Sequence, residues 1–322
     1  MAGQVFAYIV HKDGVADDTA LELAAAAAKI GDGPVNALVT GSGGGLDTVC
    51  NALTGAFAEV WKIDHEALAY PNAEIVRKAL LALLPDDAIV LLPHDTFGMD
   101  LGPGLSVKLE SAYAADVVAI EGRDGDVLKL VRQEYSGMVS THVNCDAAAG
   151  AVLTCRPGSF APVENPAAGG RVIDKAVEVD LTGKRRFVEV KIAEVGDVDI
   201  TKSDVLVSVG RGIEDQENIE IAAELAEIMG AVVSCSRPIV DAKWLDKSRQ
   251  VGTSGKTVKP KVYMALGISG SFQHMGGIKG SPFIIAVNKN PKAPIFQVAD
   301  VGVVEDILEF IPELSDKLKE SR

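Results

Sequence analysis

The sequence predicts an α/β protein of two domains, each built on a parallel sheet. Short apolar runs alternate with helix-like segments over residues 5–92, and the same alternation restarts at Asp204. Such alternation is typical of parallel sheets with helices on both faces. Residues 112–195 instead show strand-and-turn patterns, which indicate extra strands that complete the first domain. We expect domains at 1–195 and 196–322, joined by a linker near 193–203.

The elements of the first domain follow from these patterns. Parallel strands are predicted at 5–10, 35–40, 59–63 and 88–92, and helices at 19–30, 46–55 and 72–84. The extra strands are predicted at 116–120, 127–131, 150–155 and 186–192, of which the last alternates apolar and polar residues. The segment 157–170 is rich in proline and glycine, which favours a surface loop.

The second domain is read in the same way. Apolar runs predict strands at 205–209, 231–234, 262–266 and 283–287. An amphipathic helix is predicted at 214–229, because Gly230 is a typical residue at a helix C-terminus. Another helix is expected to begin within 303–310, and residues 312–320 are interpreted as a charged tail.

Composition excludes several classes of partner. The formal net charge is −14, which opposes binding to nucleic acid or to an anionic membrane surface. No apolar stretch approaches the ~20 residues of a membrane-spanning helix. The four cysteines show no metal-binding spacing, so we expect free thiols in a reducing, cytoplasmic compartment. We expect neither a signal peptide nor direct membrane insertion.

Polar and glycine-rich segments follow four of the predicted strands of the second domain. They contain Arg211 between two glycines, the pair Ser236-Arg237, and Asn288; a hydroxyl-rich loop spans 250–256, and the segment 267–274 links glycines to Gln273 and His274. In an open α/β sheet, ligands bind at the carboxyl ends of the strands. Free backbone N–H groups in a turn that leads into a helix favour a phosphate. These segments together predict a dinucleotide site.

A second glycine-rich segment lies at 41–45 and supports an alternative function. It contains Gly41, Gly43, Gly44 and Gly45, and Asp64 follows about twenty residues later, which imitates a dinucleotide fingerprint. Leu46, however, stands where a small residue should permit close packing of helix on strand. We interpret this 41–45 loop as a surface turn, and keep an NAD-dependent oxidoreductase that uses it as the alternative.

The second-domain motifs resemble the alpha subunit of electron-transfer flavoproteins. The matching segments are SVGRGI (208–213), SRPIVDAKW (236–244), QVGTSGK (250–256) and LGISGSFQHMGGIKGSPFIIAVNKNPKAPIFQVAD (266–300). The resemblance implies a Rossmann-like C-terminal domain that holds one FAD. It also implies a heterodimer with a beta subunit, which would carry AMP or a second FAD and would contact the N-terminal scaffold domain.

The resemblance further implies a set of FAD-binding residues. Backbone groups near Ser269 would cradle the pyrophosphate together with Arg211, and Asp306 would contact the adenosine. Ser254 would donate to flavin N5, and Arg237 would stand over the ring system. The complete implied set is Arg211, Ser236, Arg237, Gln250, Val251, Gly252, Thr253, Ser254, Gly267, Ser269, Gly270, Ser271, Phe272, Gln273, His274, Asn288, Asp306 and Ile307.

The implied function is electron transfer without a substrate pocket. FAD would accept electrons from a dehydrogenase of the acyl-CoA or amine type and pass them on through an anionic semiquinone. Arg237, together with His274 as a cation or a donor, would stabilise the negative charge. Thr253 departs from the glutamine of many relatives. Two further alternatives are electron bifurcation from NADH, with a second FAD in the beta subunit, and a regulatory nucleotide-binding module without redox chemistry.

Overall fold

The computed structural model describes residues 3–135, 139–163, 169–189, 198–278 and 282–320. The chain divides into two compact units, 1–189 and 190–322, each with an α/β fold, so the predicted fold class is confirmed. The predicted domain boundary after residue 195 falls within 190–197, outside the described residues.

The first unit contains one large sheet flanked by four helices within the described residues. Its strands are β1 (Val5–Tyr8), β2 (His11–Lys12), β3 (Val15–Ala16), β4 (Val35–Gly41), β5 (Glu59–Asp64), β6 (Ile89–Pro93), β7 (Ala112–Asp124), β8 (Val127–Glu134), β9 (Val139–Asp146), β10 (Ala151–Cys155) and β11 (Arg171–Asp174). Its helices are α1 (Thr19–Ala27), α2 (Gly45–Leu53), α3 (Ala73–Leu83) and α4 (Thr96–Lys108).

Nine of these strands, as far as the structure describes the chain, form the sheet in the order β11-β5-β4-β1-β6-β10-β7-β8-β9. All neighbours from β11 to β7 are parallel, whereas β8 and β9 extend the sheet in antiparallel fashion. The central strands β1, β6 and β10 are buried along their whole length, as expected for parallel strands covered on both faces. Helices α1 and α2 pack on one face, and α3 and α4 on the other.

The second unit is a smaller, fully parallel sheet. Its strands are β12 (Val205–Val209), β13 (Val232–Cys235), β14 (Val262–Leu266), β15 (Phe283–Val287) and β16 (Val301–Val303), and its helices are α5 (Ile219–Met229), α6 (Arg237–Asp241), α7 (Phe272–Met275) and α8 (Ile307–Glu320). The strand order β13-β12-β14-β15-β16 reverses direction between β12 and β14. Such a doubly wound sheet has its ligand crevice at that reversal point.

The two faces of this second sheet are covered differently. Helices α5, α6 and α8 pack on one face. The other face is covered by Ile200, Val251, Ile268 and Ile295, which come from short connecting segments. This second face lies beneath the predicted cofactor loops, so the way in which those segments pack determines the shape of the site.

Several predicted elements are wrong in part. The helix predicted at 214–229 begins only at Ile219, because Glu214 adopts a left-handed backbone with φ of 68°. The predicted charged tail at 312–320 belongs to α8, which tolerates Pro312 near its start and buries Ile311. Residues 186–189 of the predicted strand 186–192 form no strand, and residues 190–192 lie outside the described residues.

Candidate FAD-binding site

The predicted site residues meet at the carboxyl edge of the second sheet. The segment 210–212 leaves β12, the segment 267–271 leaves β14, and Asn288 follows β15. Because β12 and β14 are adjacent and flank the reversal point, their loops lie side by side. The sheet topology therefore brings together segments that are more than fifty residues apart in the sequence.

Close backbone contact between these two loops forms the floor of the site. The N–H of Gly210 donates to the carbonyl of Leu266 at 2.8 Å, and that of Gly212 to the carbonyl of Gly267 at 3.1 Å. A Cβ atom on Gly212 would lie 2.7 Å from the Cα of Gly267, which is impossible without a shift of the backbone. Gly267 also has φ of 64°, a conformation that disfavours any side chain. Glycine is therefore required on both sides of this contact.

A cavity of about 650 Å³ opens above this floor, a volume within the range of small-molecule sites. It is lined by every predicted site residue except Gly270 and Phe272. The cavity is also lined by residues that were not predicted, namely Gly212, Glu214, Pro238, Asp241, Ile268, Lys289 and Asn290.

Gly270 and Phe272 lie next to the cavity without lining it. Gly270 has φ of 82°, and a Cβ atom there would collide with the backbone of Ile295. The N–H of Ile295 donates to the carbonyl of Ser269 at 3.0 Å, so this contact fixes the loop against the segment 294–297. Phe272 is half exposed at the start of α7. Gly270 therefore fixes the loop from outside the cavity.

The loop at 269–271 presents unpaired backbone donors. Within the described residues, no acceptor takes a hydrogen bond from the N–H groups of Ser269, Gly270 or Ser271. Unpaired main-chain donors in a turn ahead of a helix suit an anion. Arg211, which lines the same cavity, adds a positive charge. The donor set therefore fits a phosphate group.

Two loops form a second wall of the cavity. The N–H of Thr253 donates to the carbonyl of Gln273 at 2.8 Å, and Gly252 adopts φ of 140° at this contact. The buried amide of Gln250 donates to Ser254 Oγ at 2.9 Å. Because Ser254 accepts there, its own proton remains free to donate to a ligand. This wall therefore carries a placed hydroxyl donor.

Charged side chains line the mouth of the cavity in opposite pairs. Arg237 Nε lies 3.3 Å from Asp241 Oδ2, and Lys289 Nζ lies 2.7 Å from Glu214 Oε1. Both pairs are largely exposed to solvent, where such ion pairs contribute little to stability. The two cations can therefore exchange these partners for a ligand at small cost.

Asn288 and Asp306 have structural partners as well as cavity positions. Asn288 Nδ2 donates to the carbonyl of Ile268 at 2.9 Å, which ties the end of β15 to the neighbouring loop. Asp306 Oδ1 accepts from the N–H of Leu308 at 2.9 Å and so caps the start of α8. Each residue thus shapes the cavity wall and supplies a polar group to it.

His274 is held in a buried polar chain behind the cavity wall. Its Nε2 lies 2.8 Å from the hydroxyl of Tyr263, which donates to Ser208 Oγ at 2.7 Å. Burial lowers the pKa of His274 to about 4, while the nearby backbone of Val251 opposes the shift weakly. Of the two expected states of His274, a cation or a hydrogen-bond donor, the lowered pKa disfavours the cation near pH 7, and a neutral imidazole can still donate through one ring nitrogen.

Sequence reasoning missed Tyr263 and Ser208. Both lie within the apolar runs of β14 and β12, and each is fully buried. The available signal was a hydroxyl residue inside each of three apolar strands, since Ser234 in β13 is the register partner of Ser208. An apolar pattern predicts a buried strand but does not identify the partners of the hydroxyl groups within it.

The 41–45 loop of the first unit packs less closely than the contact between Gly212 and Gly267, because a Cβ atom on Gly45 would keep 3.4 Å from the nearest backbone atom, the nitrogen of Gly14. A Cβ atom on Gly43 or Gly44 would meet no atom within 4 Å. Leu46 is buried in the core, and the N–H of Gly43 donates weakly to Asp64 Oδ1 at 3.4 Å. In a dinucleotide fingerprint the carboxylate of Asp64 would accept from a ribose hydroxyl, whereas here it accepts from the 41–45 loop. These features favour the interpretation as a surface turn.

Within the ranges that the structure describes, no helix is long and apolar enough to cross a membrane. The same residues contain no cluster of three or more His, Cys, Asp or Glu side chains placed to hold a metal. The four cysteines are free and buried.

Comparison with known proteins gives two matching family models. The electron transfer flavoprotein domain matches residues 5–181, and the electron transfer flavoprotein FAD-binding domain matches residues 199–279. The second match contains most of the residues that line the cavity.

Curated relatives agree with these models. Electron transfer flavoprotein subunit alpha of Methylophilus methylotrophus is 42% identical over 72% of this chain and 72% of its own length. Protein FixB of Clostridium saccharobutylicum is 32% identical over 98% of this chain and 96% of its own. Electron transfer flavoprotein subunit alpha of Thermoanaerobacterium thermosaccharolyticum is 30% identical over 98% and 97%. The chain therefore belongs to the electron transfer flavoprotein alpha subunit family.

Proposed function

We propose that this chain is the FAD-binding subunit of a heterodimeric electron carrier. It pairs with a beta subunit, receives electrons from flavin dehydrogenases of the acyl-CoA or amine type, and passes them to a downstream acceptor. The observation that carries the proposal is one of position: the FAD-binding family match overlies the cavity at the strand-order reversal.

The residues present fit FAD. The unpaired N–H groups at 269–271, with Arg211, suit the pyrophosphate. Ser254 offers a proton that its bond from Gln250 leaves free, as a donor to flavin N5 would require. Asp306 Oδ1 is bonded to its helix, and the carboxylate has further acceptor capacity for an adenosine hydroxyl.

FAD supplies the electron chemistry when it is bound, and the protein's part is to bind and tune it. Bound FAD would carry added negative charge on the N1–C2=O side of the isoalloxazine when it holds one extra electron. Arg237 is always protonated, so placed against the ring it would stabilise that charge and raise the first reduction potential. Asp241 holds this guanidinium in the structure only through an exposed contact.

The remaining parts of the proposal concern context. The relatives are named as alpha subunits, which supports a beta-subunit partner with its own AMP or second FAD. The N-terminal unit, in which the 41–45 loop is a surface turn, would serve as the scaffold for that partner. The four free, buried cysteines support a reducing, cytoplasmic location.

A reductive titration of the purified heterodimer tests the carrier function. We expect stoichiometric FAD, and we expect dithionite to produce the red, anionic one-electron-reduced flavin before full reduction. A colourless complex, or direct two-electron bleaching, would contradict the proposal. Counting flavins in the same sample separates the carrier, with one FAD, from the bifurcating alternative, with two.

A further inference from the structure

A chain of buried polar groups runs behind the cavity, from the sheet to His274. Ser208 and Tyr263 are each 0% exposed, and His274 is 5% exposed. They come from β12, β14 and α7, so three separate elements converge on two hydrogen bonds. Buried polar groups of this kind are costly unless they are satisfied, which makes their arrangement specific.

The directions of the two bonds determine the state of the imidazole. Tyr263 donates its single hydroxyl proton to Ser208 Oγ. The 2.8 Å contact between Tyr263 Oη and His274 Nε2 can then be a hydrogen bond only if Nε2 carries a proton. The arrangement that satisfies both contacts therefore leaves Nδ1 without a proton. Nδ1 is buried and has no hydrogen-bond partner among the described residues.

The groups around Ser208, Tyr263 and His274 favour the uncharged forms of these side chains. Burial raises the pKa of the Tyr263 phenol and raises that of Cys235, the nearby thiol on β13, to about 12. Ser234 lies near enough to lower the Tyr263 pKa slightly but forms no hydrogen bond of ordinary geometry. The backbone of Val251 approaches the ring and opposes the lowering of the His274 pKa, but Nδ1 forms no hydrogen bond of ordinary geometry within the described residues. The charged side chains of Arg237 and Asp241, which line the same cavity, are exposed and paired with each other.

We propose that Tyr263 is a positioning residue for the cofactor site. Its hydroxyl donates to Ser208 Oγ and accepts a hydrogen bond from the Nε2–H group of His274. These two bonds hold the imidazole neutral, in one tautomer and one orientation, beside the bound FAD. This inference rests on the proposed function only in naming FAD as the ligand. His274, which is 5% exposed, then contributes a fixed dipole to the cavity wall.

Nitrogen-15 NMR of the histidine-labelled heterodimer tests the tautomer directly. The chain has five histidines, and the signal of His274 is assigned by its loss in His274→Gln. We expect a protonated Nε2 and an unprotonated Nδ1 throughout about pH 5.5 to 8. A proton on Nδ1, or a titration within this range, would overturn the inference. Flavin absorbance of the same sample tests the proposed function separately, since absent flavin contradicts FAD binding and leaves the tautomer readable.

The variant Tyr263→Phe tests the positioning role. It removes the acceptor and frees the imidazole to turn toward solvent, so we expect a new change in the flavin spectrum centred at about pH 6.5. The change should vanish in the double variant Tyr263→Phe/His274→Gln.

The matched control is Tyr8→Phe, which removes another buried hydroxyl bond, from Tyr8 to Thr40 at 2.7 Å, in the other unit. We expect no pH-dependent flavin change in this control. A Tyr263→Phe complex that retains flavin with a pH-independent spectrum would overturn the positioning role. If that variant does not fold, the NMR measurement on the unmodified complex decides.

Discussion

The two units of this protein place a glycine-rich loop at the carboxyl edge of a parallel sheet, yet only one loop forms a site. Gly43 and Gly44 face open space, whereas Gly212 and Gly267 are pressed together at the floor of a cavity. The first loop carries the more familiar glycine spacing. Glycine therefore indicates a ligand site where it allows two backbone segments to approach each other. The spacing of glycines along the sequence does not by itself indicate such a site.

Buried tyrosines show the same contrast. Tyr8 in β1 bonds Thr40 in β4, so that the pair satisfies itself within one sheet. Tyr263 also bonds a hydroxyl on the neighbouring strand, but it extends the chain to His274 in the cavity wall. The Tyr8–Thr40 pair lies wholly within the core, whereas the Tyr263–Ser208 pair is hydrogen-bonded to a residue of the cavity wall.

The largest expected effect comes from Gly267→Ala. Alanine disfavours φ of 64°, and its Cβ would overlap the backbone of Gly212. We expect a loss of about 2–4 kcal/mol in the free energy of unfolding, together with loss of bound FAD. Chemical denaturation and flavin absorbance measure the two effects.

The matched control is Gly44→Ala, where φ is −63° and the Cβ has space. We expect a change below about 1 kcal/mol and full FAD content. Equal effects of the two substitutions would remove the distinction between the two loops.

Because His274 is neutral in the folded protein, the free energy of unfolding depends on pH. Its folded pKa of about 4 lies below the ordinary value of about 6.5, so the unfolded chain takes up the proton first as the pH falls. Stability contributed by the neutral ring is complete above pH 6.5 and declines toward pH 4, by about 3 kcal/mol in total. Denaturation of the FAD-free chain at several pH values measures this slope.

His274→Gln should flatten that slope. Burial also lowers the pKa of His94 in the first unit. The pH dependence of stability that remains in the variant should therefore have the same sign. If His274→Gln has the same pH dependence as the unmodified chain, His274 is not a buried neutral group.

Arg237→Ala tests the charge proposed to lie against the flavin. We expect retained FAD and a stability constant for the one-electron-reduced flavin that falls by about tenfold, because about 1.4 kcal/mol of charge stabilisation is lost. A reductive titration measures the maximum yield of that species.

Asp241→Asn is the companion variant, since it removes the present partner of Arg237. Its yield should equal or exceed that of the unmodified complex. An unchanged yield in Arg237→Ala would refute the role assigned to its guanidinium.

We expect no binding when NAD is added to the full chain, and this is the smallest of the expected effects. Gly43 and Gly44 of the 41–45 loop face open space, and Asp64 accepts from that loop. Calorimetric titration should detect no binding of NAD, whereas FAD should bind. Tight NAD binding that Asp64→Ala abolishes would revive the oxidoreductase alternative.

Continuous apolar runs were the most predictable part of the fold. The strands at 205–209, 262–266 and 283–287 match their predicted bounds, because a parallel strand buried on both faces has an uninterrupted apolar sequence. The cavity-lining residues at the ends of these strands were predictable for the same reason. Their convergence follows from the parallel topology.

The missed elements depend on tertiary contacts that local sequence does not record. Helix α4 was not predicted; it contains Gly98, Gly102 and Pro103, residues that disfavour a helix interior. In the structure, a Cβ on Gly102 would lie 3.0 Å from the Tyr113 ring, so the small residue permits close packing on the sheet. The alternating residues 186–189 remain outside any strand, and Val188 is 75% exposed. Alternation alone did not place these residues in the sheet.

An experimental structure of the flavin-loaded heterodimer tests the central claim most directly. We predict the pyrophosphate at the N–H groups of 269–271 and the isoalloxazine between the loop that carries Ser254 and Arg237. A flavin bound at the 41–45 loop, or elsewhere with the carboxyl edge of the second sheet empty, would contradict it.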